Sequence, residues 1–280
     1  MIKNISDCTT LNNGVKMPWL GLGVWQVNDG PEVERAVIAA INAGYRSIDT
    51  AAIYGNERGV GKAIKDSGIP REELFITTKL WNAYHDYDVA LKAFDDSLKS
   101  LGLDYIDLYL IHWPIPARKK YVEAWKALIK LYEEGKVRAI GVSNFHIHHI
   151  EEIINATGVI PAVNQVELHP YLTQKQLLEY CKKRGIQVEA YSPLMRGKVA
   201  SIREISAIAE KYGKTPAQVV LRWHLQNGVV VIPKSVHENR IRENADIFDF
   251  ELSESDMKEI DNLNINKRFL PDPDKMNYTG

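Results

Sequence analysis

Residues 105–112 read YIDLYLIH and are followed at once by Trp113 and Pro114. The run 106–111 suits a parallel strand buried on both faces, and a proline soon after it discourages further pairing. That run ends on His112. A single histidine beside apolar residues is ordinarily a hydrogen-bonded core side chain, so its meaning depends on what ends the other strands.

Working outward, short apolar runs alternate with longer segments of helical period, and glycine or proline often marks the joins. Strands are expected at 19–24 (WLGLGV), 45–50 (YRSIDT), 74–80 (LFITTKL), 105–112, 137–144 (VRAIGVSN), 162–168 (AVNQVEL), 186–192 (IQVEAYS) and 229–235 (VVVIPKS). Helical segments such as 33–43 and 121–134 carry one apolar face each, and Gly44, Gly68, Gly102, Gly135, Gly158 and Gly185 sit where left-handed caps are wanted. Eight strands, each followed by a helix, predict a closed (β/α)8 TIM barrel, expected to form one domain over residues 1–280. An open doubly wound sheet is the competing arrangement, but no strand is followed by GxGxxG. Two helical segments, 202–212 and 215–226, precede the last strand, so one is extra to the repeat.

Composition narrows the function. The formal net charge is −1 with no long run of either sign, which speaks against nucleic acid and anionic membrane surfaces. Cys8 and Cys181 are far apart and outside any CxxC spacing, and no stretch approaches the ~18 uninterrupted apolar residues of a membrane span. A cytoplasmic monomer acting on a small molecule is the expectation.

Polar residues then recur at one end of the strands: Asp49, Lys79, His112, Asn144, Tyr191 and Lys234, with Gln165 inside the sixth. In a barrel these ends meet at one mouth, the face where barrel enzymes carry their chemistry. Tyr54 follows Asp49 by one loop. A phenol has an ordinary pKa of ~10, and moving it about three units toward neutrality needs roughly 4 kcal/mol, about what a cation ~4 Å away supplies at an effective dielectric of ~20. Lys79 is the candidate cation, Asp49 its counter-ion, and His112 a hydrogen-bond donor to a carbonyl oxygen.

These motifs, GYRSIDTAAIYGNE (44–57), LYLIHWP (108–114), GVSNF (141–145) and IPKS (232–235), resemble those of the aldo-keto reductase family over nearly the whole chain. The resemblance implies an N-terminal β-hairpin at 9–18 and a catalytic tetrad of Asp49, Tyr54, Lys79 and His112. It implies NADPH held across the mouth, with direct transfer of the pro-R hydride from C4 and Tyr54 protonating the carbonyl oxygen. Tyr191 is then the platform under the nicotinamide, with Ser143, Asn144 and Gln165 around its carboxamide. Lys234, Ser235, Val236, Arg240, Glu243 and Asn244 take the 2′-phosphate and adenine, while Ser192, Leu194, Arg196 and Lys198 lie over the pyrophosphate. By their own chemistry Asn144 and Gln165 serve equally well as caps of their strands.

Ser235-x-x-Glu238 has the capping-box spacing, which predicts a helix N-terminus beside Lys234 and Arg240 and hence an anion site. Trp25, Trp81 and Trp113 follow strand ends and are expected to wall the substrate pocket with His112, Trp25 also reaching the cofactor. Beside the long loops of steroid-active members of the family it resembles, the connection after His112 and the tail after Leu263 look short, which implies an open pocket suited to small aldehydes and ketoaldehydes such as glyoxal and methylglyoxal. Alternatives are a reductase of a sugar-derived diketo acid and a nicotinamide-binding regulatory subunit with little turnover. FHIHHI (145–150) looks like a metal cluster, but it is read as a helix start with His146 and His149 exposed and no acidic partner in the sequence. No metal is expected. Gly59-Val-Gly61-Lys62 is read as helix rather than phosphate loop, because Asn56 and Ala63 stand where that motif needs other residues.

Overall fold

The structure is a computed structural model describing residues 2–280. Eight strands form one parallel sheet in chain order: β3 (Gly21–Gly23), β4 (Ser47–Asp49), β5 (Phe75–Leu80), β6 (Ile106–Ile111), β7 (Val137–Ser143), β8 (Val163–Glu167), β9 (Gln187–Tyr191) and β10 (Val230–Val231). Parallel bridges from Leu20 to Val231 and from Gly23 to Lys234 close the sheet on itself. Each strand lies inside one expected from the sequence, and the architecture is a (β/α)8 barrel.

Strand parity decides which side chains enter the barrel, because successive residues face opposite sides. On β6, Tyr109 and Ile111 pack outward with the helices, whereas Leu108 and Leu110 belong to a separate interior cluster with Phe75, Ala139, Val163 and Val230. His112 continues the inward series. The same parity turns Lys79 inward after Phe75, and Gln165 after Val163. Gly141 lies where strands approach closely: a Cβ there would stand 2.5 Å from the Val163 carbonyl oxygen and 2.8 Å from Leu110 Cδ2.

An antiparallel hairpin, β1 (Cys8–Thr10) and β2 (Lys16–Pro18), stoppers the floor with Leu11 and Met17, both buried in that interior cluster. Helices α1 (Pro31–Asn42), α2 (Glu57–Asp66), α3 (Tyr87–Leu101), α4 (Tyr121–Glu133), α5 (Ile147–Thr157) and α6 (Lys175–Arg184) alternate with β3 to β9. The predicted pair, α7 (Arg203–Tyr212) and α8 (Pro216–Gln226), precedes β10; α9 (Glu238–Ala245) and α10 (Glu254–Asp261) follow it. The expected cap glycines all have positive φ, from 63° at Gly102 to 96° at Gly44. The Gly59–Lys62 segment is indeed within α2, and its glycines serve packing: a Cβ on Gly61 would lie 1.9 Å from the Leu101 carbonyl oxygen.

One helix start differs from expectation. Ser235 does not cap α9, which begins at Glu238 behind His237; its hydroxyl accepts the His237 N–H at 3.1 Å in a local turn. No capping box forms with Glu238, because the chain leaves the barrel mouth in an extended step before it coils.

Candidate active site

The tetrad is assembled from strand ends and one short loop. Asp49 closes β4, and a single 3-10 turn (Ala52–Tyr54) carries Tyr54 back over the mouth, ending on Gly55 in the left-handed region. Buried Asn56 fixes that turn: its amide donates to the Val24 and Val27 carbonyls, both at 2.9 Å, and its oxygen accepts the Thr50 hydroxyl at 2.7 Å. Lys79, fully buried at the inward end of β5, donates to Asp49 Oδ1 at 2.6 Å, to the Thr50 carbonyl at 2.9 Å and to Tyr54 Oη at 3.4 Å. The His112 ring stands 5.7 Å from the Tyr54 ring, near-perpendicular at 73°.

Burial by itself lowers Lys79, but the surrounding Asp49, Tyr54 and Glu189 outweigh it and the ammonium is held above its ordinary range. Burial raises Asp49, with Lys79 and the Gln165 amide pulling back. The direction at Tyr54 corrects an expectation. Burial dominates Lys79 there, so the phenol is raised rather than brought toward neutrality, and it stays protonated. A protonated phenol is the form that can give a proton to an alkoxide, which is far more basic. Burial, then Lys79, hold His112 well below 6.5, so its imidazole is neutral, and Nδ1 has no hydrogen-bond partner among the described residues.

Residues assigned to the carboxamide turn out to be wired to the tetrad. Gln165 Nε2 donates to Asp49 Oδ2 at 2.8 Å and to Glu189 Oε2 at 2.7 Å. Asn144 donates to the His112 carbonyl at 3.0 Å and to Ser143 Oγ at 3.1 Å, and its oxygen accepts the Tyr191 hydroxyl at 2.6 Å. Ser143 donates to the Gln165 carbonyl at 2.9 Å. Asn144 and Ser192 hold left-handed φ of 63° and 50° at the ends of β7 and β9, a conformation that non-glycine residues keep only when their surroundings impose it.

Glu189 escaped sequence reasoning. It is fully buried inside the barrel on the parity of Tyr191, and Oε1 has no partner among the described residues. With Lys79 committed to Asp49, burial and the Asp49 charge push its pKa up to about 8. A charged letter at an inward strand position was the available signal.

The rim is partly as expected. Trp81 and Trp113 form one buried cluster with Ile115, and Trp81 stands edge-on to His112 at 5.4 Å. Trp25 lies apart from them, beneath the Arg196 guanidinium at 5.2 Å, so the loop after β9 meets the end of β3 through a cation–π contact. The tail is short yet closes part of the pocket, contrary to the open rim expected. Leu270 and Met276 pack on the tryptophan cluster, Trp81 Nε1 donates to the Thr279 carbonyl at 2.9 Å, and Asn82 donates to the Tyr278 carbonyl at 2.8 Å. The Glu167 carboxylate, also unforeseen, accepts the N–H groups of Phe269 at 2.7 Å and Leu270 at 3.2 Å.

On the far side of the mouth Lys234 and Arg240 are exposed, Val236 is half-buried and Ser235 and Asn244 are buried, while Glu243 accepts the Thr215 hydroxyl at 2.9 Å. Leu194 is half-buried on the loop after β9. The Aldo/keto reductase family matches residues 19–265. The chain belongs to that family. The reductase is 58% identical over 276 residues to glyoxal reductase of Bacillus subtilis (strain 168), covering 99% of each chain. It is 54% identical to methylglyoxal reductase DkgA of Escherichia coli (strain K12), over 95% of this chain and 96% of that one. Among solved structures, a Gox0644 mutant in complex with NADPH matches with a TM-score of 0.91 and 47% identity, over 97% of this chain and 98% of that one. Among the described residues no helix is long and apolar enough to cross a membrane.

Proposed function

We propose that the chain, one barrel domain over residues 1–280, is an NADPH-dependent reductase of small aldehydes and ketoaldehydes such as glyoxal and methylglyoxal. The observation that carries this reading is the contact of buried Lys79 with both Asp49 and Tyr54, beside a neutral His112 and a tryptophan wall. The donor set suits the cofactor. Tyr191 offers a ring, exposed Lys234 and Arg240 offer cations, and Gln165, whose Nε2 faces Asp49 and Glu189, has its oxygen left for an amide N–H.

Bound NADPH supplies a hydride. The protein's own residues do the rest: His112, carrying its proton on Nε2, donates to the carbonyl oxygen and fixes its position; Tyr54 then gives that oxygen the phenolic proton. Lys79 steadies the phenolate left behind, and Asp49 keeps Lys79 charged and aimed. Trp81, Trp113 and the tail exclude water from the reacting carbon. In this reading the protein acts as a monomer in the cytoplasm.

The test is NADPH consumption with glyoxal, methylglyoxal, an aromatic aldehyde and a diketo acid as substrates, in parallel with NADH. Turnover of the small dicarbonyls with a preference for NADPH is expected. Absence of turnover with every carbonyl, despite cofactor binding, would leave the regulatory-subunit alternative instead.

A further inference from the structure

At the junction of β7 and α5 the segment Phe145–Ile150 contributes three imidazoles, and the structure supplies what the sequence lacked: an acidic partner, Asp274, from the tail. His146 Nδ1 lies 3.2 Å from Asp274 Oδ2, while His148 Nε2 and His149 Nε2 lie 3.1 and 3.2 Å from Oδ1. All four ligand atoms fall within 4.8 Å of one another. The earlier reading of this segment needs correcting: His149 is 1% exposed, and only His148 is fully at the surface.

Only His146 makes an aligned hydrogen bond to Asp274. His149 Nε2 is buried without a hydrogen-bond partner among the described residues, although the carboxylate oxygen is close by. Ring nitrogens gathered at this spacing but not aimed at the carboxylate are arranged as ligands around a shared point rather than as donors to one acceptor.

We propose that His146, His148, His149 and Asp274 bind one divalent transition-metal ion of the zinc class, and that the ion fastens the tail over the pocket rim. Three imidazoles and a carboxylate suit zinc, nickel or copper far better than calcium or magnesium, which take all-oxygen sets.

Two features oppose the ion and set its affinity. Arg268 donates to His146 Nε2 at 3.2 Å and must turn toward Gln174 Oε1, now 3.4 Å away. His149 Nδ1 accepts the His146 backbone N–H at 3.1 Å, and ligation through Nε2 gives up that bond. Micromolar rather than nanomolar binding follows. The consequence for the tail comes from position: Asp274 lies between Leu270 and Met276, both packed on the tryptophan cluster.

The test uses the full chain in a Cys8→Ser background, stripped with a chelator and titrated calorimetrically with zinc chloride at neutral pH. One zinc per chain at micromolar affinity is expected, weakened at least about tenfold in His146→Gln and in Asp274→Asn. Asp274 is exposed and His146 half-buried at the start of α5, and far-UV circular dichroism of each variant checks that the fold is kept. Hydrogen exchange over residues 270–279 should slow with zinc in the parent and not in Asp274→Asn. No saturable binding by the parent, or parent-like affinity in either variant, overturns the site. Binding at the cluster with unchanged exchange in the tail overturns the fastening role.

Discussion

The two ends of β6 carry buried polar residues that are treated in opposite ways. At the floor, Asp107 is fully buried and completely repaid: Oδ2 accepts from Arg71 at 2.6 Å and from the Ile76 N–H at 2.9 Å, and Oδ1 accepts from Arg138 at 2.8 Å. At the mouth, His112 is buried with Nδ1 unpartnered among the described residues, and so is one oxygen of Glu189. Burial penalises polar groups alike at either end. What differs is completion. The Asp107 carboxylate commits both oxygens to holding neighbouring strands in register, whereas His112 and Glu189 keep hydrogen-bonding capacity at the mouth.

The sharpest way to break this division is at Tyr54. Tyr54→Phe should lower kcat for aldehyde reduction by ~10²- to 10⁴-fold, the span of a lost general acid. Its melting temperature should hold, because the bond it loses to Lys79 is long at 3.4 Å. Turnover within tenfold of the parent would remove Tyr54 from the chemistry. The converse holds at the floor. Asp107→Ala removes an acceptor from Arg71 and Arg138 and leaves the buried Ile76 N–H unpaired, so a loss of about 1–3 kcal/mol in urea unfolding is expected. Its kcat per folded molecule should be unchanged; a stable protein that had lost turnover would erase the contrast between the two ends.

A third test concerns charge inside the barrel. Glu189 is raised from 4.5 to about 8, so the fold favours its protonated form. Its contribution is therefore fully present below 4.5 and is lost as pH rises through about 8. Relative to Glu189→Gln, whose amide cannot ionise, the parent should lose thermal stability across that window. Parallel melting curves for the two proteins would sink the assignment. The smallest effect is expected at the loop over Trp25. Arg196→Ala removes a cation–π contact of about 0.5–1 kcal/mol, so the KM for NADPH should rise about two- to fivefold with kcat unaltered. An unchanged KM would detach that loop from cofactor binding.

These tests also separate what the sequence makes visible from what it hides. Strand existence and the placement of Asp49, Lys79 and His112 at the barrel mouth are legible because both are local: a short apolar run ends on a polar residue, and period-two alternation says which way that residue points. His112 was readable for that reason. Glu189 obeys the same parity, but in IQVEAYS it looks like the solvent side of a strand until closure gives that side an interior. The capping box at Ser235 failed because spacing alone does not say where the chain begins to coil. The left-handed conformations of Asn144 and Ser192 have no letter of their own. Asp274 was the least accessible of all, since nothing local links the tail to residues 145–150; only the closed barrel brings the tail back across its mouth.

The hairpin at the floor has a further consequence. With Leu11 and Met17 seated there, the barrel interior is a room with a single door. Tyr54 and His112 stand at that door, with the carboxyl groups of Asp49 and Glu189 buried behind them. Whatever enters therefore meets the phenol and the imidazole before any buried charge.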